Sequence, residues 1–360
     1  MFEDYRLEGG IRIPISLNGN EAYLLFDDLK TRIDKRMSLY RKVTNERLDA
    51  PNLTQQIRKN IILMGQYEIK YPIDQFNAIK GGLTLRQDKL FYKATDIQTL
   101  NAPTEAIERV GLRVTYIFDN SLDKGLNLFA GVRAKAFLEW VKKFDLNFDN
   151  GVKLDFNKGH MWVAGFDARN YLELDRHSIF ATRFASQVSF GSEKILYYLG
   201  GSDGWLFPSF NGETQTATDE NYAYQIATPN LRGFQYNIRN GNNFALINGE
   251  LRVPFLRYLS RRTISSSFLN NFQLVGFFDI GSAWNGWDPF TKYNPLNTVY
   301  VNQPGINIKV NYFRNPIVFG YGGGVRFLIF GYFIRLDYAK GWDTGTFTKP
   351  RLYFSLGTDF

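Results

Sequence analysis

The residues of this chain that could do chemistry are few and scattered. Its two histidines, His160 and His177, fall near opposite ends of one expected strand, so they cannot share a metal, and each reads as an ordinary rim residue. No Ser, His and Asp are spaced for nucleophilic attack. "DLNFDNG", residues 145–151, spaces Asp145, Asn147 and Asp149 like calcium ligands. The twelfth position, which should supply a bidentate Glu, is Phe156. The sequence therefore leaves calcium in the loop 145–159 undecided. "GYGGGVR", residues 320–326, has the glycines of a phosphate loop but neither its Lys-Ser/Thr nor a following helix pattern. Glycines in such a strand more simply relieve crowding by a packed loop. What remains is ion pairing. "NLRGFQ", residues 230–235, sets Arg232 between Leu231 and Phe234 in a stretch rich in Gly, Asn, Ser and Thr, as though a loop arginine were to be buried. A guanidinium grips carboxylates with a planar fork that Lys cannot copy, and Gly233 would permit a tight loop tip.

The elements that must position Arg232 show period-2 alternation almost end to end. In "VGLRVTYIF", residues 110–118, Val110, Leu112, Val114, Tyr116 and Phe118 share one face, opposite Gly111, Arg113 and Thr115. "LFAGVRAKAFLEW", residues 128–140, and "WVAGFDARNYLEL", residues 162–174, repeat the pattern, with Arg133, Lys135, Glu139, Asp167, Arg169 and Glu173 on the second face. That face carries both charge signs, strand after strand. Such alternation reads inside out: apolar toward lipid, charged toward a wet lumen. Three features favour this reading. Many runs exceed the usual soluble strand length, aromatics crowd strand ends, and short turns ("NSLDKG", "LDRHS") alternate with the long connections 191–243 and 285–317. The expected strands are 4–16, 21–29, 36–46, 57–71, 76–94, 105–119, 126–145, 160–174, 178–190, 244–256, 271–284, 317–330, 331–341 and 350–360. Trp140, Trp162, Trp284, Trp287 and Trp342 then lie near the outer-side strand ends or loops, at the membrane–water interface.

Composition agrees with this reading. Aromatics make up 16%, with 32 Phe and 21 Tyr, and there is no Cys. Mean hydropathy is −0.28, and no run approaches the roughly 18 uncharged apolar residues of a spanning helix. A barrel gives such an average because only every second strand residue meets lipid. A formal net charge of +8 would admit nucleic acid as a partner, but no helix-turn-helix, RNP or zinc pattern accompanies it.

The phase of the alternation supplies partners for Arg232. In "FQLVGFFDIG", residues 272–281, the phase that turns Phe272, Leu274, Phe278 and Ile280 outward turns Asp279 inward. In "FALINGELRVPF", residues 244–255, Ala245, Ile247, Leu251 and Val253 face out, so Asn248, Glu250 and Arg252 face in. The chain ends "LYFSLGTDF", with Leu352, Phe354, Leu356 and the final Phe360 on one face.

These segments carry a resemblance. "FSLGTDF", residues 354–360, with Phe354, Leu356, Gly357 and Phe360, looks like the closing strand of the BamA-type superfamily of outer-membrane assembly and translocation barrels, the bacterial surface antigens. "LRGF" (Leu231, Arg232, Gly233, Phe234) resembles its V/I-R-G-F/Y motif, with Leu at the first position. "FFDIG", residues 277–281, matches its F-x-D-x-G motif, and "GGGVRF" followed by "GYFIRLDYAKG" resembles its next two strands. The order and spacing fit across 231–360; upstream of residue 190 the likeness is architectural.

The resemblance implies an all-β fold, a transmembrane antiparallel β-barrel of the sixteen-stranded type, in the bacterial outer membrane. About fourteen of those strands are present. It implies that the loop 191–243 folds inward as a partial plug, its arginine paired with Asp279; Glu250 as second partner comes from phase. The expected function is insertion or export of polypeptides, or of lipids, with no enzymatic step, no cofactor and no metal. The alternative is a barrel anchor or passive channel for a separate N-terminal enzymatic or binding domain. The expected partners are outer-membrane lipids and client outer-membrane or secreted polypeptides, with periplasmic partners reached through a region upstream. "FEDYRLEGG" after Met1 is no signal peptide. Residues 1–360 are thus read as the C-terminal barrel of a longer protein lacking its first hairpin.

Overall fold

Strands form where the alternation predicts them. The computed structural model describes residues 4–12, 19–48, 56–92, 103–147, 153–156, 159–217, 220–228, 230–259, 265–291, 296, 298–303, 306–311 and 314–360. By packing, the chain divides into two units, residues 1–117 with 137–162, and residues 118–136 with 163–360. Strands Glu105–Asp119, Leu128–Asn147 and His160–Glu173 contribute to both.

The first unit is an antiparallel meander. Tyr5–Arg12 pairs with Gly19–Asp28, that strand with Asp34–Leu48, then Gln56–Pro72 and Asn77–Tyr92. Its apolar face is the exposed one: Leu39, Leu85 and Val114 project from it, Val114 at 60% exposure. Charges occupy the opposite face in pairs. Arg36 Nε lies 2.6 Å from Asp27 Oδ1, Lys80 Nζ 2.6 Å from Glu68, and Arg109 Nη1 3.1 Å from Asp88. A water-soluble sheet hides its apolar face; this one hides Asp27 and Arg109. That inversion marks a strand facing lipid.

The second unit continues as an antiparallel series. Ile179–Gly191 pairs with Asn243–Val253, followed by Gln273–Trp284, Val318–Ile329, Tyr332–Asp343 and Arg351–Leu356. Ile247, Leu251, Leu274 and Tyr338 are exposed, while Asn248, Glu250, Arg252, Asp279, Arg326, Arg335 and Asp337 are buried. The phases read for the Asn243–Val253 and Gln273–Trp284 strands therefore hold.

The structure differs from the expectation in four places. The short turn "NSLDKG" carries a strand, Leu122–Gly125, paired antiparallel with residues 128–130 across a register shift. The connection 191–243 is not patternless: Lys194–Leu199 pairs parallel with Tyr222–Thr228 and antiparallel with Arg239–Gly241, a small sheet of its own. Thr298–Gln303 and Ile306–Asn311 form a hairpin inside 285–317. The closing strand stops at Leu356, short of the expected 360. Gly357 takes φ +103°, which breaks the extended run, and Phe360 turns away to pack with Leu128, Tyr171, Ile179 and Ala181. Phe360 therefore does not share the exposed face of Leu352. Residues 13–16, at the end of the expected first strand, lie outside the described residues.

Candidate functional site

Arg232 reaches the polar face of the second unit through a loop whose apolar flanks are buried with it: Leu231, Arg232 and Phe234 are all essentially inaccessible. The guanidinium grips Asp279 in a fork, Nε donating to Oδ2 at 2.7 Å and Nη2 to Oδ1 at 2.8 Å. Its Nη1 donates to Glu250 Oε1 at 2.7 Å, and its own main-chain N–H donates to Asp279 Oδ2 at 2.9 Å. Both carboxylates expected from the sequence are thus at Arg232. They come from neighbouring strands, in which Asn248 pairs directly with Asp279 and Glu250 with Phe277. Asn248 Nδ2 donates to Asp279 Oδ1 at 2.7 Å and also to the Asn230 carbonyl. The guanidinium carbon stands over Phe277, 3.6 Å from the ring centroid, adding a cation–π contact in a dry setting. Desolvating three charges is costly, and only such complete hydrogen bonding offsets it.

The backbone around Arg232 can come this close because residues facing it lack side chains. A Cβ on Gly320 would stand 1.8 Å from the Arg232 carbonyl oxygen, and one on Gly341 would stand 2.4 Å from the Phe234 ring. Gly233 adopts φ +97° at the tip, with no room for a side chain against Lys340 and Gly341. Tyr353 closes the tip: its hydroxyl accepts from Gly233 N at 2.8 Å and donates to the Phe234 carbonyl at 2.8 Å.

A second charge cluster continues from the first, and sequence reasoning missed most of it. Glu250 Oε2 accepts from Arg252 Nη2 at 2.8 Å, and Arg252 donates onward to the main-chain oxygens of Asn127 and Phe360. Asn127 Nδ2 donates to Asp359 Oδ2 at 2.9 Å. Asp359 is paired with Arg326 at 2.9 Å and Arg335 at 3.2 Å, and Arg326 with Asp337 at 2.7 Å. Arg232, Arg252, Arg326 and Arg335 thereby balance Glu250, Asp279, Asp337 and Asp359. The missed signal was register: Arg326 and Arg335 stand directly opposite on adjacent strands, and two such cations require an anion between them. Turning inward after Gly357 lets Asp359 supply it. Of the closing-strand residues singled out, Gly357 makes the turn and Phe360 anchors it, while Phe354 and Leu356 stay on the strand, apart from the Arg232 fork.

The remaining candidates separate. His177 packs edge-on against Tyr258, centroids 5.4 Å apart, and His160 opens its strand. Asp145 and Asn147 lie on a strand segment paired with Lys153–Asp155, not in a helix-flanked calcium loop; Asp149 is outside the described residues. Among the described residues no group of three or more His, Cys, Asp or Glu could hold a metal, and no helix is long and apolar enough to cross a membrane.

A forked loop arginine is thus held on a buried aspartate, within sheets whose charged faces are buried. The model of the Omp85 superfamily domain matches residues 47–360. The chain belongs to the Omp85 superfamily. It is a transmembrane antiparallel β-barrel protein of the bacterial outer membrane, as the BamA-type motifs implied. Solved structures agree on the fold of this Omp85 chain. CdiB from Acinetobacter baumannii superposes with TM-score 0.53 at 12% identity, covering 94% of this chain and 50% of that one. CdiB from Escherichia coli gives 0.54 at 11% identity, covering 98% and 55%. BamA from Haemophilus ducreyi lacking POTRA domains 1-3 gives 0.50 at 13% identity, covering 94% and 61%. The Omp85 chain thus spans between 50% and 61% of the length of these structures. No curated protein matches it by sequence.

Proposed function

We propose that this chain is the barrel of an outer-membrane factor that inserts or exports polypeptides, with the loop 191–243 as its plug and the Arg232 fork as the latch of that plug. Membership in a superfamily whose members act on client polypeptides at the outer membrane supports the general class. The observation that carries the reading is the latch itself: a loop arginine held by Asp279 and Glu250 on the buried polar face. The work done is mechanical. Strand edges offer unpaired N–H and C=O groups to an extended client, and main-chain pairing needs no catalytic side chain. Upstream periplasmic partners would deliver that client.

The test uses the full-length protein in liposomes with an unfolded outer-membrane protein as client. Wild type should convert the client to its folded, heat-modifiable form, and Arg232→Ala should slow this while the barrel itself remains folded. Ion conductance without any acceleration of client folding or export would instead favour the passive channel. Unchanged client folding in Arg232→Ala would remove the latch from the function.

A further inference from the structure

The outward face of the first unit holds a groove. It runs over Gly65, which stands directly opposite Leu39 on one neighbouring strand and Leu85 on the other. Leu24, Leu63 and Phe144 complete its apolar walls, and its volume is about 610 Å³, within the roughly 300–1,000 Å³ of small-molecule sites. A Cβ at Gly65 would meet only Leu39 Cδ2, at 3.7 Å, an ordinary contact. Packing within the sheet therefore does not require the dent.

One end of the groove is cationic. Arg41 lines it with Gln87 and Glu108; Leu63 pairs with Arg41 on one side and with Gln87 on the other. Arg41 shares the outward face with Leu39, and its Nη1 donates to Asn20 Oδ1 at 3.2 Å. Glu108 is engaged by Gln87, whose Nε2 donates to its Oε1 at 2.9 Å. Farther along the same face come Lys89, opposite Ile61, and Lys59, opposite Phe91 and 5.5 Å from its ring centroid. Among the described residues Arg41, Lys59 and Lys89 make no ion pair.

Depth sets what these charges meet. The turns 29–33 and 73–76 are short, and the connections 49–55 and 93–104 at the opposite strand ends are longer. Short turns face the periplasm, so the cationic end of the groove lies toward the outer leaflet. At the usual strand rise and tilt, Lys59 stands about 29 Å along the membrane normal from Tyr71, and Leu63 about 19 Å. The apolar band of such a wall is about 25 Å tall. Lys59 therefore reaches headgroup level, while Arg41, beside Leu63, lies within the band. An unpaired cation facing lipid is costly, and a headgroup anion drawn down against it removes that cost.

We propose that this groove binds a phosphorylated glycolipid of the outer leaflet, one acyl chain lying over Gly65 between Leu39 and Leu85, and a headgroup phosphate held by Arg41, Lys59 and Lys89. Phosphate suits a guanidinium fork and two ammonium groups, and basic pockets on a membrane wall recognise such headgroups. The outer leaflet of this membrane is built of phosphorylated glycolipid, whereas its phospholipids face the periplasm. The site goes beyond the client reading and does not depend on it.

Native mass spectrometry of the full-length protein, released from detergent micelles, counts the bound lipid. The probes are lipid A, lipid A stripped of its phosphates, and phosphatidylglycerol. Wild type should prefer lipid A over either other lipid by at least about tenfold, a factor that a charge-assisted hydrogen bond supplies. Arg41→Gln, and Lys59→Gln combined with Lys89→Gln, should each weaken lipid A binding roughly tenfold or more. Gly65→Leu should also weaken it with every charge in place, because its side chain fills the groove. Arg32→Gln removes an exposed cation at the short-turn end and should bind lipid A as wild type does. Compact mobility in unheated gels confirms that each variant is folded. Equal lipid A binding by wild type, Arg41→Gln and Gly65→Leu overturns the proposal. So does phosphatidylglycerol binding as tight as that of lipid A, which would make this face a general surface for anionic lipid.

Discussion

Arg232 is where sequence and structure meet most closely, and its burial sets the size of its effect. In a wet channel a broken latch would cost roughly 1–3 kcal/mol, but Arg232, Glu250 and Asp279 are all at most 2% exposed in their side chains. Arg232→Ala should therefore destabilise the second unit by about 3–5 kcal/mol, the range for stranding buried charges, read as a shift in the urea midpoint. Arg232→Lys should recover only part of this, since a single ammonium cannot make the fork. Gly320→Ala should release the loop with the latch residues intact, because the added methyl takes the place of the Arg232 carbonyl. Asp279 was legible because one residue per strand repeat must face inward, and the phase of "FQLVGFFDIG" is unambiguous. Asp359 was not legible: a strand read to its last residue would turn Asp359 inward but carry it past Arg335, which pairs with Ser355, and it reaches Arg326 and Arg335 only because the chain turns at Gly357.

At the scale of elements, long inverted strands were legible and short pairings were not. Strand Glu105–Asp119 appears at the expected bounds because alternation over many residues leaves one consistent phase. Arg239–Gly241 is too short to show any period, and Lys194–Leu199 is apolar on both faces, so nothing in their sequence distinguished strand from loop. Lipid exposure of the long strands can be measured. Val114→Arg should cost roughly 2–4 kcal/mol if Val114 lies near the bilayer midplane. Arg113→Ala, which loses a 3.7 Å pair with Glu139, should cost under about 1 kcal/mol. Equal costs would contradict the inverted faces. The short turn after His160–Glu173 offers a pH test. Asp175 accepts from the main-chain N–H groups of His177 and Ser178 and from the Tyr258 hydroxyl. These bonds, Tyr258 first, lower its carboxyl from 3.8 to about 2. A depressed folded value means stabilisation present above pH 3.8 and lost as pH falls toward 2. Wild type should lose its advantage over Asp175→Asn across that window, followed by carboxyl NMR or by the acid midpoints of the two proteins.

At the scale of the whole molecule, the latch gathers residues from far apart in the chain. Arg232 meets Asp279 across 47 positions, Arg252 meets Asn127 across 125, and Asn127 meets Asp359 across 232. Contacts of such separation form only after the chain between them is in place. Interactions absent from the folding transition state show their loss in the unfolding rate. Arg232→Ala should thus speed unfolding roughly hundredfold or more while barely changing the folding rate, a contrast that stopped-flow urea jumps would resolve; a slowed folding limb with unchanged unfolding would place the latch early. The trough formed by Gly320 and Gly341 adds a further condition. Val318–Ile329 and Tyr332–Asp343 must already lie side by side, in register, before their two glycines make a surface on which Arg232 and Phe234 can rest. The loop is then the last piece to arrive, and its arrival depends on every earlier pairing being correct. A slip of one residue in either strand would put a side chain where a glycine is needed and leave the loop undocked, so the trough acts as a checkpoint, separating correctly assembled molecules from misregistered ones.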